Sequence, residues 1–172
     1  MKLFITLAFT VLTIFSSIAQ DKVGDVIPLT EFPESKTLMA NAKEYTSAIV
    51  SKEFTKVANL THPDIIKLGG GADFLIADLK SESNGLDDQG LFYISAELGN
   101  HPEFLNSQGE LQTIIPVKYY LSLQDDKVES WVNLFAVSKD KGKSWTFVNL
   151  EKFDETSLRE FVKNVSQELV YP

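Results

Sequence analysis

The side chains best suited to acid–base chemistry in this chain are its two histidines, His62 and His101. Histidine changes charge near neutral pH and is the most frequent general acid or base in enzymes. His62 lies two residues before Asp64 and could form a dyad with it. Pro63, however, suits the first position of a helix, and Asp64 suits the positive end of its dipole, so a capped helix start is the commoner outcome. We expect His101 to be exposed in a loop between strands.

Several other chemistries are excluded by what the sequence lacks. The chain has no cysteine, which excludes thiolate metal sites, a cysteine nucleophile and acylation of a lipobox cysteine. It contains no H-x-x-x-H, H-E-x-x-H or G-x-S-x-G pattern, so we predict no metal site, no serine nucleophile and no cofactor. The run Gly69-Gly70-Gly71 lacks the Lys-Ser/Thr of a phosphate loop, and we expect it to end a helix.

A small-molecule pocket is predicted from a strand that mixes aromatic and polar side chains. Trp131, Asn133 and Phe135 alternate along one face of this strand. If that face lines the space beneath the predicted helices, Asn133 could orient a ligand, with Tyr45 and Tyr119 nearby. Ligand pockets commonly combine apolar walls with a few polar groups in this way. The alternative is a packed core in which Asn133 pairs with a backbone group.

The segment 138–147 contains a turn motif. Ser138, Asp140, Gly142 and Trp145 match the pattern S-x-D-x-G-x-x-W at all four fixed positions. Aspartate can accept hydrogen bonds from the N–H groups of its own turn, glycine can adopt a positive φ, and the indole ring can fold back over the hairpin. The motif resembles the Asp-box of sialidases and other exported β-rich proteins, where it has a structural role. It occurs once, and no blade-sized repeat predicts a propeller.

The N-terminal residues predict export. Lys2 precedes an apolar stretch, and Ser17-Ile18-Ala19 fits a small-x-small cleavage site, so we predict a signal peptide over residues 1–19. The mature protein would be periplasmic or secreted, with no membrane association after cleavage, and it would not be a lipoprotein. An exported chain without disulfides favours a bacterial source. The net charge of −8 argues against nucleic acid as a partner.

Hydrophobic spacing predicts one domain over residues 36–172, after an extended lead-in over 20–35. An apolar stripe at helical spacing predicts a first helix over 36–51, with Ser35 as its N-cap. A capping-box spacing predicts a short C-terminal helix that begins at Ser157. The remaining predicted helices cover residues 52–60, Pro63 to the glycine run, and 72–83.

From Gly90 onward the hydrophobic period changes to two, which predicts strands. They cover residues 92–98, 111–123, 128–138 and 145–150. In the first of them we expect Phe92, Ile94, Ala96 and Leu98 on one face and Tyr93 on the other. Pro116 implies an edge position or a bulge. Helices followed by antiparallel strands indicate an α+β fold, in which the leading helices cover the concave face of a strongly curved sheet.

The order of these elements resembles the nuclear transport factor 2-like (SnoaL-like) cone, also called cystatin-like, over about residues 36–150. The Asp-box and the C-terminal helix are additions to the usual cone. The resemblance implies a wide range of activities, because members of the superfamily include hydrolases, isomerases, dehydratases and non-catalytic binding or dimerisation modules. The residues that carry it are Tyr45, Ile49, Phe54, Val57, Leu60, Thr61-His62-Pro63, Gly69-Gly70-Gly71 and Trp145-Thr146-Phe147.

Three functional hypotheses follow. The leading one is an exported non-catalytic module that binds a small apolar ligand or a partner protein, with homodimers through the open sheet face as a frequent use of the resembling fold. The second is a small cone-fold enzyme of isomerase, dehydratase or hydrolase type, whose acid–base residue would be His62, Asp64, Tyr45 or Tyr119. The third is glycan binding beside the Asp-box, which requires exposed aromatic side chains near Trp145.

Overall fold

The computed structural model describes residues 33–101, 103–124 and 126–172. The predicted signal peptide and lead-in residues 20–32 lie outside this part of the chain. None of the helices within the described ranges has the length and apolar character needed to span a bilayer. The helices are α1 (Pro33–Val50), α2 (Phe54–Leu60), α3 (Pro63–Leu68), α4 (Ala72–Asp88) and α5 (Glu155–Phe161), and the strands are β1 (Leu91–Leu98), β2 (Leu105–Ser107), β3 (Glu110–Leu123), β4 (Asp126–Ser138) and β5 (Thr146–Asn149).

The five strands form one open antiparallel sheet in the order β1-β3-β4-β5, with β2 paired to the beginning of β3. The predicted α+β class is therefore confirmed. Pro116 lies inside the central strand β3. On one side of it no strand continues, because β1 ends at Leu98 and β2 begins only at Leu105. Its carbonyl accepts a hydrogen bond from Gly99 on the β1 side. The missing N–H points to the same side, where the regular pairing with β1 has already ended at Leu98.

The sheet has an apolar layer on each face. The inner face packs against α1 and α2 through Ile115, Val117 and Tyr119 of β3 and Leu134 of β4. On the outer face, Ile114, Phe135, Val137 and Val148 pack against Leu158, Val162 and Leu169 of the C-terminal segment. Gln112, fully buried on the outer face, fixes that segment: its amide donates to the carbonyl of Asn164 at 2.8 Å and accepts from the N–H of Ser166 at 2.9 Å.

Helix α1 begins before the predicted start, which corrects two expectations. Ser35 is not an N-cap, because it lies inside the helix and is fully buried. Its hydroxyl lies 3.1 Å from Nε2 of His101. His101 is buried instead of exposed, because its ring stacks on Phe104 at 4.8 Å and Phe104 stacks on Trp145 at 5.3 Å. These contacts with Ser35 and Trp145, which are distant in the sequence, hold the loop that contains His101 against α1.

The other helix ends differ from the predictions by a few residues. Helix α5 begins at Glu155 and its N-cap is Asp154, whose carboxylate accepts from the N–H of Ser157 at 2.7 Å. The prediction of Ser157 as the cap is wrong, because Asp154 already satisfies that N–H. Helix α4 continues to Asp88, since the Gly85 within it does not stop the helix. The glycine run ends α3 as predicted, with Gly69 as its C-cap.

The Asp-box forms the turn between β4 and β5 and docks against α1. The carboxylate of Asp140 accepts hydrogen bonds from the N–H groups of Lys143 and Ser144 at 3.0 and 2.9 Å and from two serine hydroxyls. Gly142 has a φ of +82°, and its carbonyl accepts from the hydroxyl of Thr37. The N–H of Trp145 donates to Asn41 Oδ1 at 3.1 Å. The motif therefore holds a hairpin and joins it to the first helix.

The indole of Trp145 enters the core instead of folding over the hairpin. Its exposed fraction is 1%, and its Nε1 lies 3.4 Å from the hydroxyl of Thr37. The glycan hypothesis required exposed aromatic side chains beside this motif. Burial of Trp145 removes the aromatic surface on which that hypothesis depended.

We predict an acid-dependent loss of stability from Asp140. Its hydrogen bonds with Ser144, and then those with Ser138 and Lys143, lower the pKa of this carboxyl to about 2 from an ordinary value of 3.8. A folded-state pKa below the unfolded value stabilises the fold above pH 4, and this contribution disappears between about pH 4 and pH 2. Urea unfolding across this range should show a smaller decline in the Asp140→Asn variant. Equal declines in both proteins would contradict the assignment.

Candidate functional site

A cavity of about 150 Å³ lies between the helices α1, α2 and α4 and one side of the sheet, where Tyr93 of β1 and Val148 and Asn149 of β5 line it. We call it the inner cavity. Helix α1 contributes Tyr45 and Ile49, β1 contributes Tyr93, and α4 closes the opposite side. Its walls are mainly apolar, with a few polar groups among them. The remaining lining residues are Phe54, Val57, Thr61, Ile65, Leu75, Leu79, Glu82, Ser83, Leu86, Glu151, Lys152 and Phe153.

Helix α4 covers the cavity, although most of its own residues are exposed or half-buried. Of its 17 residues only Ser83 is buried, and Leu75, Leu79 and Leu86 are half-buried. Because the cavity lies beneath them, these leucines have neighbours on only part of their surface. Three exposed ion pairs also hold the helix: Asp87 with Lys52 at 2.5 Å, and Asp78 and Glu82 with Lys152, which lies beyond β5. Such surface pairs contribute little to stability.

Tyr45 and Tyr93 supply phenol groups to the cavity. Tyr45 is buried, and its ring lies 5.2 Å from that of Phe147. Burial raises the pKa of Tyr45 to about 12, against the opposing effect of a hydrogen bond with Thr61. Burial also raises the pKa of Tyr93, which the negative charges of Glu151 and Glu82 raise further. Both phenols are therefore neutral at physiological pH, and each can donate a hydrogen bond.

Tyr119 lies on β3, the strand next to β1, and packs against Tyr93. The two rings meet edge to face, with centroids 5.1 Å apart. Tyr119 is 4% exposed, and its hydroxyl has no hydrogen-bond partner among the described residues. Burial raises the pKa of this phenol, and Tyr45, Tyr93 and Glu151 raise it further. The inner face thus holds a neutral buried donor without a partner, beside two phenols that line the cavity.

The predicted ligand-binding residues do not share one pocket. Register pairs Tyr119 with Ser130 and Lys118 with Trp131, so Tyr119 lies on the inner face and Trp131 on the outer face. Asn133 and Phe135 lie on the same face as Trp131, because side chains alternate along a strand. The prediction that Asn133 lies near Tyr45 and Tyr119 is therefore wrong. The reason is that residues 134–137 of β4 are buried on both faces, and the sequence period does not show which face the helices cover.

The outer-face residues have different environments. Phe135 is fully buried beneath the C-terminal segment, whereas Trp131 is 61% exposed. Nζ of Lys118 lies 4.4 Å from the centroid of the Trp131 ring. Trp131 and Asn133 border a shallow groove of about 130 Å³ that Tyr171 and Pro172 close on the other side.

His62 caps α3 and lies outside the inner cavity. Its Nδ1 accepts from the N–H of Asp64 at 3.2 Å, with Pro63 at the first helical position, so the capped helix start is confirmed. The ring is fully buried, and burial, followed by the charge of Lys139, lowers its pKa. The carboxylate of Asp64 accepts from the N–H of Lys163 at 3.1 Å. His62 and Tyr45 therefore do not face a common cavity.

Tyr93 was missed as a site residue because β1 contains a bulge. The pairing with β3 shifts between Tyr93 and Ser95, so Ile94 is an extra residue that interrupts the alternation. Tyr93 consequently joins Ala96 and Leu98 on the inner face, while Phe92 turns outward and is 47% exposed. The expected grouping of Phe92 with Leu98 is wrong for this reason. The sequence feature that could have identified Tyr93 as a site residue is a tyrosine within an otherwise apolar strand.

Comparisons with known proteins do not name a family. No protein-family model matches the chain, and no curated protein matches it. A 2.5 Å structure from Catenulispora acidiphila is similar over 68% of this chain and 91% of that chain, with a TM-score of 0.46 and 11% sequence identity. A likeness of this size assigns neither a family nor a function.

Proposed function

We propose that this protein is an exported, non-catalytic module that binds a small, mainly apolar molecule in the inner cavity. The observation that supports this proposal is a mainly apolar, partly open cavity that α4 covers and that the phenols of Tyr45 and Tyr93 line. An apolar cavity of this size can hold a molecule such as benzene or xenon. It is smaller than most pockets for drug-sized ligands, which measure roughly 300–1,000 Å³. The ligand would therefore be a single ring or a short chain.

The expected affinity follows from the apolar area that such a ligand buries. A ring of phenyl size buries roughly 150–200 Å², which at about 25 cal/mol per Å² corresponds to about 4–5 kcal/mol. The corresponding Kd is on the order of 1 mM for a bare hydrocarbon ring. Polar contacts within the cavity would strengthen the binding of the natural ligand.

The fold proposed for this module is the nuclear transport factor 2-like cone. Supporting it are the leading helices on one face of an antiparallel sheet and a cavity between the two layers. Export is supported by the signal-like residues 1–19. Members of this superfamily differ widely in activity, so the function rests on the cavity and not on the fold.

The enzyme alternative has weaker support. His62, its best acid–base candidate, caps a helix and does not line the cavity. Tyr45 does line the cavity, but its pKa of about 12 is far from the range in which a general base operates at neutral pH.

Partner binding through the outer face is a second candidate function. Phe92, Ile94 and Trp131 are 47%, 51% and 61% exposed, beyond the part of the face that the C-terminal segment covers. Exposed apolar patches mark interaction sites, and tryptophan is frequent among the residues that dominate binding energy. A homodimer or a different protein partner would both use this surface.

A cavity-filling variant tests the proposed function. We expect benzene to produce saturable NMR shifts at residues around the inner cavity of the wild-type protein. In Leu79→Phe the larger side chain on α4 should fill the cavity, so the affinity for benzene should fall at least tenfold. Leu68→Phe is the matched control, because Leu68 is 48% exposed on α3 and should bind as the wild type does. Absence of saturable shifts in the wild type would contradict the proposal.

A further inference from the structure

The inner cavity borders a second space, an open groove of about 650 Å³ where α2 meets α1 and α4. We call it the α2 groove. Glu44 of α1, most of α2 and Lys80 of α4 line it. Apart from Phe54 and Leu60, the described residues that line the groove are polar or charged. The helices thus separate a mainly apolar cavity beneath them from a polar groove outside.

Phe54, the first residue of α2, is the one described residue that lines both spaces. On α2, Val57 lines the cavity and its neighbour Lys56 lines the groove. On α4, Leu79 and Lys80 divide in the same way. The two helices therefore turn one face to each space, and Phe54 lies where the spaces meet. Because Phe54 is only half-buried, a change of its side-chain rotamer would open a connection between them.

The charges of the α2 groove balance one another. Two of its three lysines are paired with carboxylates, Lys56 with Glu53 at 2.6 Å and Lys52 with an aspartate of α4 at 2.5 Å. The other charged lining residues, Lys80 and Glu44, have opposite signs. A charged ligand group would therefore meet no excess of opposite charge in the groove. A hydroxyl suits it better, because one hydroxyl can both accept from a lysine and donate to a carboxylate.

We propose that the two spaces form one site for a small uncharged amphiphile, whose apolar ring lies in the inner cavity and whose hydroxyl head lies in the α2 groove. The proposal rests on the proposed function, because it extends the same cavity and names its class of ligand. Burial of the ring drives binding, and the groove lets the head keep hydrogen bonds that burial in the cavity would cost. Phe54 is the specificity-determining residue, since the chain between ring and head has to pass it.

The test compares benzene with hydrocinnamyl alcohol, which joins a phenyl ring to a hydroxyl through a short chain, on the wild-type protein. NOEs between ligand and protein locate each end of the alcohol. We expect its ring protons to contact Leu79 and Tyr93 in the cavity, and the protons beside its hydroxyl to contact Asn59 and Lys80 in the groove. Benzene should give NOEs to the cavity residues and none to the groove residues.

Substitutions at Phe54 test its role through the Kd of the alcohol divided by the Kd of benzene. This ratio cancels changes that affect the shared ring site alone. In Phe54→Trp the larger ring should obstruct the chain and raise the ratio at least about fivefold. In Phe54→Ala the open passage should lower it. Phe74→Trp is the matched control, because Phe74 is 68% exposed on α4 and lines neither space, so the ratio should not change.

The outcomes separate the two proposals. If neither benzene nor the alcohol binds to the wild type, the proposed function fails and this inference fails with it. If benzene binds but the alcohol does not, or if both ends of the alcohol contact the cavity alone, the proposed function stands and the two-part site is overturned. If the Phe54 variants change the ratio no more than Phe74→Trp does, the role of Phe54 is overturned. Where a Phe54 variant does not fold, the wild-type NOEs decide.

Discussion

Replacing Gly142 with alanine should destabilise the fold by about 3 kcal/mol. An added Cβ would lie 2.4 Å from Cγ, 2.7 Å from Cβ and 3.1 Å from Cα of Glu34. Since the last contact involves the backbone of α1, a side-chain rotation cannot relieve it, and overpacking of this kind costs about 1–3 kcal/mol. The φ of +82° adds about 1–2 kcal/mol for a residue that carries a Cβ. Urea unfolding measures the sum.

The matched control for Gly142 is Gly109→Ala. Gly109 has a φ of +87° and no atom within 4 Å of the added Cβ. This variant should therefore lose only the free energy that a positive φ costs a residue with a Cβ, about 1 kcal/mol. The difference between the two variants measures the docking of the Asp-box against α1. Equal losses in both would mean that the turn does not pack tightly on the helix.

Trp145→Ala should cost about 4 kcal/mol, the largest effect that we expect from a single side chain. The ring is 1% exposed and stacks on Phe104, and deletion of a large buried aromatic side chain costs about 3–5 kcal/mol. Because Phe104 also stacks on His101, the loss should loosen the loop beneath α1. Hydrogen exchange at His101 and Phe104 should accelerate together with the fall in unfolding free energy.

The second tryptophan provides the control for Trp145. Trp131→Ala removes the same side chain from an exposed position and should change stability by less than about 1 kcal/mol, mainly through its contact with Lys118. A large loss would show that the ring is covered in solution. Sedimentation of both variants also bears on the second candidate function, because self-association through the outer face should weaken in Trp131→Ala.

Within the described residues, the sequence pattern predicted the five helices and four of the five strands, and it missed the three-residue strand β2. The apolar stripe through Leu38, Ala42 and Tyr45 predicted α1, since only a helix places these residues together. The period of two predicted β3 and β4, and the Asp-box residues predicted the turn that joins β4 to β5. Local physical chemistry determines each of these features, so a single sequence suffices to recognise them.

The candidate site was harder to predict, because it depends on contacts between distant residues. Strand β4 is apolar on both faces from Leu134 to Val137, and the period does not show whether helices or the C-terminal segment cover a given face. Because of this ambiguity we predicted Asn133 beside Tyr119, which is wrong. The bulge at Ile94 likewise reversed the face of Tyr93, and no residue type in β1 marks a bulge. Burial of His101 depends on Phe104 and Trp145, which come together only in the folded chain.

The most direct measurement of the central claim is a crystal structure of residues 20–172 under xenon pressure. Xenon binds in apolar cavities and is located by its anomalous scattering. We predict a peak between α4 and the inner face of the sheet, in contact with Leu79 and Tyr93, and no such peak in crystals of Leu79→Phe. A wild-type cavity filled by the protein's own side chains, with no xenon inside it, would contradict the account and direct attention to the outer face around Trp131.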